Sequence, residues 1–150
     1  MNTERERGHR SEHELLQPML DWLKRRRWVL DSTIIRPEFP WQGRRVDLVT
    51  LTSTGICTAY ELKLDHSRRA IEQGSLNALS FDRSIIVMAA RATPRTLEHV
   101  RVLGLGFLFV DLDQRNVEMT AWPRKRVIDR TVRKRVREKL SHADGGVLNV

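Results

Sequence analysis

Two apolar runs separated by a short turn constrain the fold of this chain more than any other sequence feature. The runs are RRVDLVTL (44–51) and ICTAYELKL (56–64), and both are rich in β-branched and apolar residues. The turn-like stretch TSTG (52–55) lies between them. The pattern predicts a β-hairpin in which Thr52 pairs with Ile56 across a three-residue loop, and this pairing sets the register of both strands.

The predicted register brings three charged side chains to one face of the hairpin. Asp47 lies directly opposite Glu61, and Lys63 joins them because side chains alternate along a strand. A loop one residue shorter or longer would move Asp47 to the other face. The apolar residues that share the face in this register are Val49, Leu51, Cys57 and Ala59. The face is therefore expected to be core at one end and polar at the other.

This charged cluster has two interpretations. In the first, Lys63 neutralises Asp47 or Glu61 in a solvent-facing ion pair, which contributes little to stability. In the second, the two carboxylates bind a hard divalent cation through oxygen, while the lysine activates the attacking water and offsets charge at the transition state. The second interpretation predicts Mg²⁺ as the cofactor, with Mn²⁺ as a substitute.

A further carboxylate is expected from the first helix, which is predicted for residues 11–26 with Ser11 as its N-cap. Pro18 lies inside the pattern, so the helix either starts later or kinks there. At about 100° per residue, Glu12 lies near the centre of the apolar stripe and Glu14 points to the opposite face. Glu12 is the candidate for the site, although a dipole-stabilising role at the helix start stays open.

The rest of the chain predicts alternating helices and strands in a mixed α/β layer structure. The predicted elements are an extended segment WVLDSTIIRPEF (28–39) ended by Pro37 and Pro40, a helix over 66–80, a strand SIIVMAA (84–90), a helix from Thr93-Pro94 to Gly104, a strand GFLFVDL (106–112) and an edge strand RNVEMTAW (115–122). Residues 1–150 are interpreted as one domain with a core over about 11–122.

The C-terminal region is strongly basic. Residues 124–139 contain nine Lys or Arg, and a basic amphipathic helix is predicted for about 124–140, with its apolar side docked on the body. The whole chain has 27 Lys and Arg against 19 Asp and Glu, a net charge of +8 that favours polyanionic partners such as nucleic acid. A merely solvated basic surface is the alternative. The last residues, 141–150, are expected to be loosely ordered.

Several classes of protein are disfavoured. Cys57 is the only cysteine, which excludes an internal disulfide and a thiolate zinc cluster, and its apolar context predicts a buried filler residue. The five histidines lack zinc-ligand spacing, and no glycine-rich phosphate loop is present. The N-terminus does not resemble a secretory signal, and no run is long and apolar enough for a membrane span. We therefore expect a soluble, cytoplasmic protein without a membrane partner.

Over about residues 11–111, this organisation resembles the PD-(D/E)XK nuclease superfamily, whose members share the restriction-endonuclease-like fold. The resemblance implies an αβββαβ core, with a mixed central sheet flanked by helices, followed here by the C-terminal basic helix. Asp47 and Glu61 stand where the family has its acidic metal ligands, and Lys63 stands where it has the catalytic lysine. One departure is Val46, which replaces the proline before the first acidic residue.

Gln73, on the helix after the hairpin, resembles a glutamine that some branches of this family use to position water or DNA. A surface glutamine is the alternative interpretation. Those branches often carry a tyrosine four residues later, where this chain has Asn77.

The resemblance implies a Mg²⁺-dependent deoxyribonuclease, an endonuclease of DNA repair, recombination or defence. Glu12, Asp47 and Glu61 would bind the metal, Lys63 would activate water and Gln73 would orient it. Four arginines flank the site and are candidates for holding DNA phosphates: Arg44, Arg45, Arg68 and Arg69. The alternatives are a non-catalytic nucleic-acid-binding module on the same fold and an interaction protein with a structural ion-pair cluster. The sequence leaves open whether the chain forms a homodimer to cut two strands.

Overall fold

Six strands form one mixed sheet in the computed structural model, which describes residues 11–65 and 68–142. The strands are β1 (Ile34–Trp41), β2 (Arg44–Leu51), β3 (Cys57–Lys63), β4 (Arg83–Met88), β5 (Gly106–Asp111) and β6 (Asn116–Ala121). They lie side by side in sequence order. The β3–β4 and β4–β5 pairs are parallel, and the other three neighbouring pairs are antiparallel.

The helices within the described ranges are α1 (Leu16–Arg25), α2 (Arg68–Asn77), α3 (Pro94–Val102) and α4 (Arg130–His142), and a 3₁₀ turn (Glu12–Leu15) precedes α1. The first elements therefore follow the predicted order αβββαβ, and the α/β class is confirmed. No helix within these ranges is long and apolar enough to cross a bilayer.

The sheet is covered on both faces. On one face, Leu48 and Tyr60 pack with Met19 and Leu23 of α1, and we call this the α1 face. The other face is covered by α2, α3 and α4 and is called the three-helix face. Its core residues include Val49, Ala59, Val136 and Leu140 in one cluster and Ala70, Ile86, Val100 and Phe107 in a second cluster. Apolar side chains of β3 alternate between the two faces, with Cys57 and Ala59 on the three-helix face and Tyr60 and Leu62 on the α1 face, as the hairpin pattern predicted.

The predicted hairpin register is confirmed. Leu48 pairs with Tyr60, and Leu51 pairs with Cys57. In the turn, the amide of Thr52 donates to the carbonyl of Ile56 over 3.0 Å. Gly55 has a φ of +90°, a left-handed conformation that glycine adopts without steric cost. Because this register places residue 47 opposite residue 61, the two carboxylates lie on neighbouring strands at the same level.

The prediction that Pro37 and Pro40 end the first extended segment is wrong. Strand β1 runs through both prolines to Trp41. Within the described ranges, β1 pairs only with β2 and is therefore an edge strand. An edge strand has a neighbouring strand on one side only. A proline whose nitrogen faces the open side removes no hydrogen bond of the sheet, so the strand tolerates it.

The first helix starts later than predicted. Residues Glu12–Leu15 form a 3₁₀ turn, and the α-helix begins at Leu16, which places Pro18 in its first turn, where the missing amide proton costs no helical hydrogen bond. Ser11 occupies the N-cap position, as predicted, but of the 3₁₀ turn, and its side chain makes no capping bond. Its carbonyl accepts instead from the amide of Glu14 over 3.1 Å.

The C-terminal helix also starts later than predicted, at Arg130 instead of about residue 124. Asp129 sets the start, because its Oδ1 accepts from the amides of Thr131 and Val132 over 3.0 and 3.1 Å. Val127, inside the predicted range, lies before the helix and is fully exposed. The predicted docking itself is confirmed by the buried Val136 and Leu140.

The remaining elements agree with prediction. The helix expected over 66–80 is seen as α2 within the described residues, and β4, β5 and the edge strand β6 lie where expected. Thr93 caps α3 by accepting from the amide of Thr96 over 3.1 Å, and Gly104 follows the helix with a φ of +70°. The predicted loose order of the chain end falls largely on residues 143–150, which lie outside the described residues.

Candidate active site

The polar end of the hairpin collects side chains from several elements. Asp47 comes from β2, Glu61 and Lys63 come from β3, and Asn77 comes from the last turn of α2. Glu12 reaches the same end from the 3₁₀ turn before α1. The sequence register thus predicted the meeting of the hairpin residues, the sequence also offered Glu12, and the tertiary structure adds Asn77.

Asp47 is held against the next strand by a backbone contact. Its Oδ2 accepts from the amide of Leu62 over 2.8 Å. The paired ladder between β2 and β3 begins only at Leu48 and Tyr60, so the carboxylate takes the place of a ladder bond. This contact fixes the Asp47 carboxylate beside residue 61.

Glu61 is the most deeply buried acidic residue of the cluster, with 2% of its surface exposed. Its Oε1 accepts from Nδ2 of Asn77 over 3.0 Å. The Oδ1 of Asn77 in turn accepts from Nη1 of Arg44. Asn77 is itself fully buried, so the chain from Glu61 through Asn77 to Arg44 crosses the interior beneath α2.

The burial of Glu61 perturbs its proton affinity. Desolvation is the largest cause and the negative charge of Asp47 is the next, and together they raise the pKa of Glu61 to about 8. A hydrogen bond with the Asp47 side chain acts in the same direction, whereas the contacts with Asn77 and Arg44 oppose it. In the metal-free protein at neutral pH, this carboxyl group is therefore largely protonated.

Arg44 is affected by the same environment. Burial lowers the pKa of its guanidinium, and the neighbouring Glu61 opposes that shift. The residue was predicted to hold a DNA phosphate. In the structure Arg44 is half-buried, and its Nη1 donates a hydrogen bond to Asn77. This contact supports the hydrogen-bond chain that leads to Glu61.

Lys63 and Glu12 form an ion pair at the outer side of the cluster. The distance between Lys63 Nζ and Glu12 Oε1 is 3.8 Å, and the side chains are 23% and 46% exposed. Our expectation that Glu12 lies on a buried stripe is wrong, because the 3₁₀ turn has three residues per turn and a projection at 100° per residue does not apply to it. Of the two helix-one candidates, Glu12 is the one that forms this pair.

The donor set fits magnesium. Mg²⁺ keeps several waters and is usually bound through only one or two carboxylates, which Asp47 and Glu61 supply. Gln73 lies one helical turn before Asn77, and its Oε1 is buried without a hydrogen-bond partner among the described residues. Within residues 11–65 and 68–142, no three His, Cys, Asp or Glu side chains are grouped to hold a metal together. The predicted three-carboxylate set is therefore not assembled, and Glu12 contacts Lys63 instead.

Comparison with known proteins gives one informative match. The structure is similar to that of a protein of unknown function from Silicibacter pomeroyi, with a TM-score of 0.62 and 18% sequence identity over 88% of this chain and 84% of that chain. At this identity the likeness concerns the fold alone. No family model and no curated protein matches the chain.

The other predicted phosphate contacts lie at the surface. Arg45 is exposed on β2, and Arg68 and Arg69 are exposed on the first turn of α2. Arg68 also lines a groove of about 840 Å³ between α2 and α3. The floor of the groove includes Ile86 and Met88. These residues are the sheet neighbours of Glu61 and Lys63, so the groove lies one strand away from the carboxylates.

Many cations of the C-terminal region serve the fold. The Nη2 atoms of Arg133 and Arg137 donate to the carbonyl of Gly55, and Arg133 Nε lies 3.6 Å from the buried carboxylate of Asp82. Arg124 donates to the carbonyls of Arg101 and Val102, which end α3. These contacts attach α4 and the segment before it to the body, so the charge excess overstates the surface that is available to a polyanion.

Asn77 is the residue that sequence reasoning missed. It was noted only as a departure from a tyrosine, although it provides a direct hydrogen bond to Glu61. The available signal was its spacing, since Ala70, Gly74 and Asn77 recur every three or four residues and are the buried residues of α2. An asparagine on such a stripe requires a polar partner beneath the helix.

Proposed function

We propose that this protein is a Mg²⁺-dependent nuclease that hydrolyses phosphodiester bonds in DNA. The proposal depends on one observation: the Glu61 carboxyl group is buried beside Asp47, with Lys63 on the same strand two residues later. Burial beside the negative charge of Asp47 disfavours the charged form of Glu61, and this arrangement costs stability unless it has a use. A divalent cation removes the repulsion and gives the cluster a function.

The fold is proposed to be restriction-endonuclease-like. The order of elements from α1 to β4 and the position of the acids on the β2–β3 hairpin support this assignment. The resemblance to the PD-(D/E)XK superfamily rests on these features and on the short motif of Asp47, Glu61 and Lys63. The settings that the resemblance implies, DNA repair, recombination or defence, are part of the proposal, and so is a cytoplasmic location.

Each residue has a role that follows from its position. Asp47 and Glu61 hold Mg²⁺, and the metal when bound supplies Lewis-acid stabilisation of negative charge on the phosphate. Lys63 orients the attacking water and offsets charge that develops on the phosphate oxygens. Glu12 positions the lysine through their ion pair. Gln73 offers its buried amide oxygen as an acceptor for the water.

The reaction is a hydrolysis at phosphorus. The water oxygen forms a bond to phosphorus while the bond from phosphorus to the leaving sugar oxygen breaks. The water gives up one proton to solvent, and the leaving oxygen takes up one. The products are a phosphate monoester end and a hydroxyl end.

Charge supports DNA as the substrate. Two arginines and a histidine outnumber one acid in the lining of the groove between α2 and α3, on the same face of the sheet as Glu61: Arg68, Arg95 and His99 against Glu72. Phosphate contacts from such residues supply affinity without reading sequence. A homodimer that cuts both strands of a duplex stays a prediction.

The test is cleavage of labelled duplex, single-stranded and branched DNA with Mg²⁺ or Mn²⁺. We expect metal-dependent cutting by the wild type and a loss of at least about 100-fold in Glu61→Gln and Lys63→Ala. The matched controls are Glu118→Gln and Lys134→Ala, which change an exposed carboxylate and an exposed ammonium away from the cluster and should cut normally.

Two other results would reject the nuclease, and a third would reject the residues assigned to it. DNA binding without cutting would favour the non-catalytic binding module. Equal binding of Mg²⁺ by the wild type and Asp47→Ala in calorimetry, without cleavage, would favour a structural ion-pair cluster. Cutting that persists in both site variants would assign the activity to other residues or to a contaminant.

A further inference from the structure

A second polar pocket lies on the α1 face, at the turn end of the β2–β3 hairpin and therefore away from Asp47 and Glu61. Its volume is about 380 Å³, within the roughly 300–1,000 Å³ of small-molecule sites. Thr50, Thr58 and Tyr60 form part of its lining, and each is less than 4% exposed. The Tyr60 hydroxyl lies within hydrogen-bonding distance of both threonine side chains.

These hydroxyl groups are unexpected at their positions. Residues 48, 50, 58, 60 and 62 share one face of the hairpin, and Leu48 and Leu62 fill the apolar core on that face. The same face becomes polar towards the turn, where Thr50 and Thr58 pair directly across the strands. A buried pair of threonines contributes less hydrophobic stabilisation than valines would, and it lines the pocket with hydroxyl groups.

Three arginines surround this floor: Arg26 and Arg27 after α1, and Arg83 at the start of β4. Two of them are positioned by aromatic rings, since Arg83 Cζ lies 4.9 Å from the centroid of Trp28 and Arg26 Cζ lies 5.4 Å from that of Trp22. A guanidinium stacked on a ring keeps its N–H groups at the edge, where they remain able to donate.

The charge of the pocket is uncompensated within its own lining. Among the described residues, fourteen side chains line the pocket, and none of them is acidic. The nearby Asp31 lines the adjacent depression with Lys24 and Arg27. Three arginines and several hydroxyl groups without a carboxylate provide donors for an anion with multiple oxygens.

We propose that this pocket binds the phosphate group of a phosphate ester. The planar guanidinium matches two phosphate oxygens, and the threonine, serine and tyrosine hydroxyls provide further donors. Arg83 lies over one side of the Trp28 ring, and the Trp122 ring is 5.9 Å away, so the ring is already packed and recognition centres on the phosphate group. The site does not depend on the proposed nuclease activity.

The test is calorimetric titration, in phosphate-free buffer at low ionic strength, with inorganic phosphate, thymidine 5′-monophosphate and a short single-stranded DNA with or without a 5′-phosphate. The variants are Arg83→Gln and the double variant Arg26→Gln/Arg27→Gln. The control is Arg115→Gln, which changes an exposed arginine between β5 and β6. We expect at least one phosphate probe to bind the wild type, with affinity reduced at least tenfold in the pocket variants and within twofold in the control.

The probes distinguish the source of the phosphate. Equal affinity for the nucleotide and the 5′-phosphorylated strand supports a small-molecule ligand, whereas tighter binding of the strand that requires its 5′-phosphate supports a DNA end. Arg83→Gln also removes packing on Trp28, so the double variant at two exposed positions decides the matter if Arg83→Gln does not fold. Absence of binding by every probe at millimolar concentration, or binding unchanged in the double variant, would overturn the proposal.

Discussion

Asn77 holds Glu61 through a hydrogen bond of 3.0 Å from its side-chain amide to the buried carboxyl group. The bond favours the charged form of Glu61 and opposes the effects of burial and of Asp47. Asn77 is thus the residue of α2 that gives the buried Glu61 carboxyl group a hydrogen-bond donor. Its own acceptor oxygen is satisfied by Arg44, which completes the network.

Replacement of this amide should therefore affect both stability and metal binding. We expect Asn77→Ala to raise the pKa of Glu61 further, to weaken Mg²⁺ binding about tenfold and to cost about 1–3 kcal/mol of unfolding free energy. Calorimetric Mg²⁺ titration and urea unfolding measure the two effects. Leu79→Ala, at a residue that is 70% exposed just after α2, is the control and should change neither quantity appreciably. Unchanged Mg²⁺ affinity in Asn77→Ala would contradict this role.

The raised pKa of Glu61 predicts how stability depends on pH in the metal-free protein. Between pH 4.5 and about 8, the unfolded chain has lost this proton and the folded protein still holds it. The folded state then binds more protons than the unfolded state. The contribution of Glu61 protonation to the free energy of unfolding is therefore complete below pH 4.5 and is lost as pH rises through about 8. The total effect is on the order of a few kcal/mol.

Urea unfolding of the wild type and Glu61→Gln at pH 5, 6, 7 and 8 measures this contribution. The difference between the two proteins isolates Glu61 from the histidines, which titrate in the same range in both. We expect wild-type stability to fall relative to Glu61→Gln as pH rises. Parallel stability profiles would show that Glu61 has an ordinary pKa.

Glu12 and Glu14 provide a matched pair for the first helix. Both are exposed acids of the same 3₁₀ turn, but Glu12 lies 3.8 Å from Lys63. If the nuclease proposal holds, Glu12→Gln should lower the cleavage rate about 10- to 100-fold, the usual effect of losing a supporting contact at such a site. Glu14→Gln should leave the rate unchanged. The reverse result would assign the supporting role to Glu14.

Asp82 should be essential for attachment of the C-terminal helix. It is 2% exposed, accepts from the amide of Cys57 over 2.8 Å and pairs with Arg133. Asp82→Ala leaves the buried amide of Cys57 without its acceptor and removes the ion pair with Arg133, so we expect a loss of about 1–3 kcal/mol in urea unfolding and faster proteolysis within residues 124–142. Lys134→Ala breaks only an exposed pair with Glu138 and should cost about 0.5 kcal/mol or less. Equal stability of the two variants would show that Asp82 does not anchor α4.

The hairpin was predictable because its signals are local. Strand periodicity and the loop between Thr52 and Ile56 act over a few residues, and together they determined the register that faces Asp47 towards Glu61. The boundaries of α1 and α4 were less accurate. Pro18 lies in the first turn of α1, and Asp129 caps the first turn of α4. These local effects set where each helix begins, and the apolar periodicity does not show them.

The sequence by itself determined the α/β order of elements, the hairpin register and the meeting of two acids with a lysine on one strand face, since these follow from side-chain alternation and turn length. Only the tertiary structure decided that Asn77 would satisfy Glu61, that Glu12 would pair with Lys63 and that three arginines would surround the hydroxyls of Thr50 and Thr58. Those contacts join segments far apart in the chain. Their geometry depends on how each helix packs on the sheet, which no local pattern specifies.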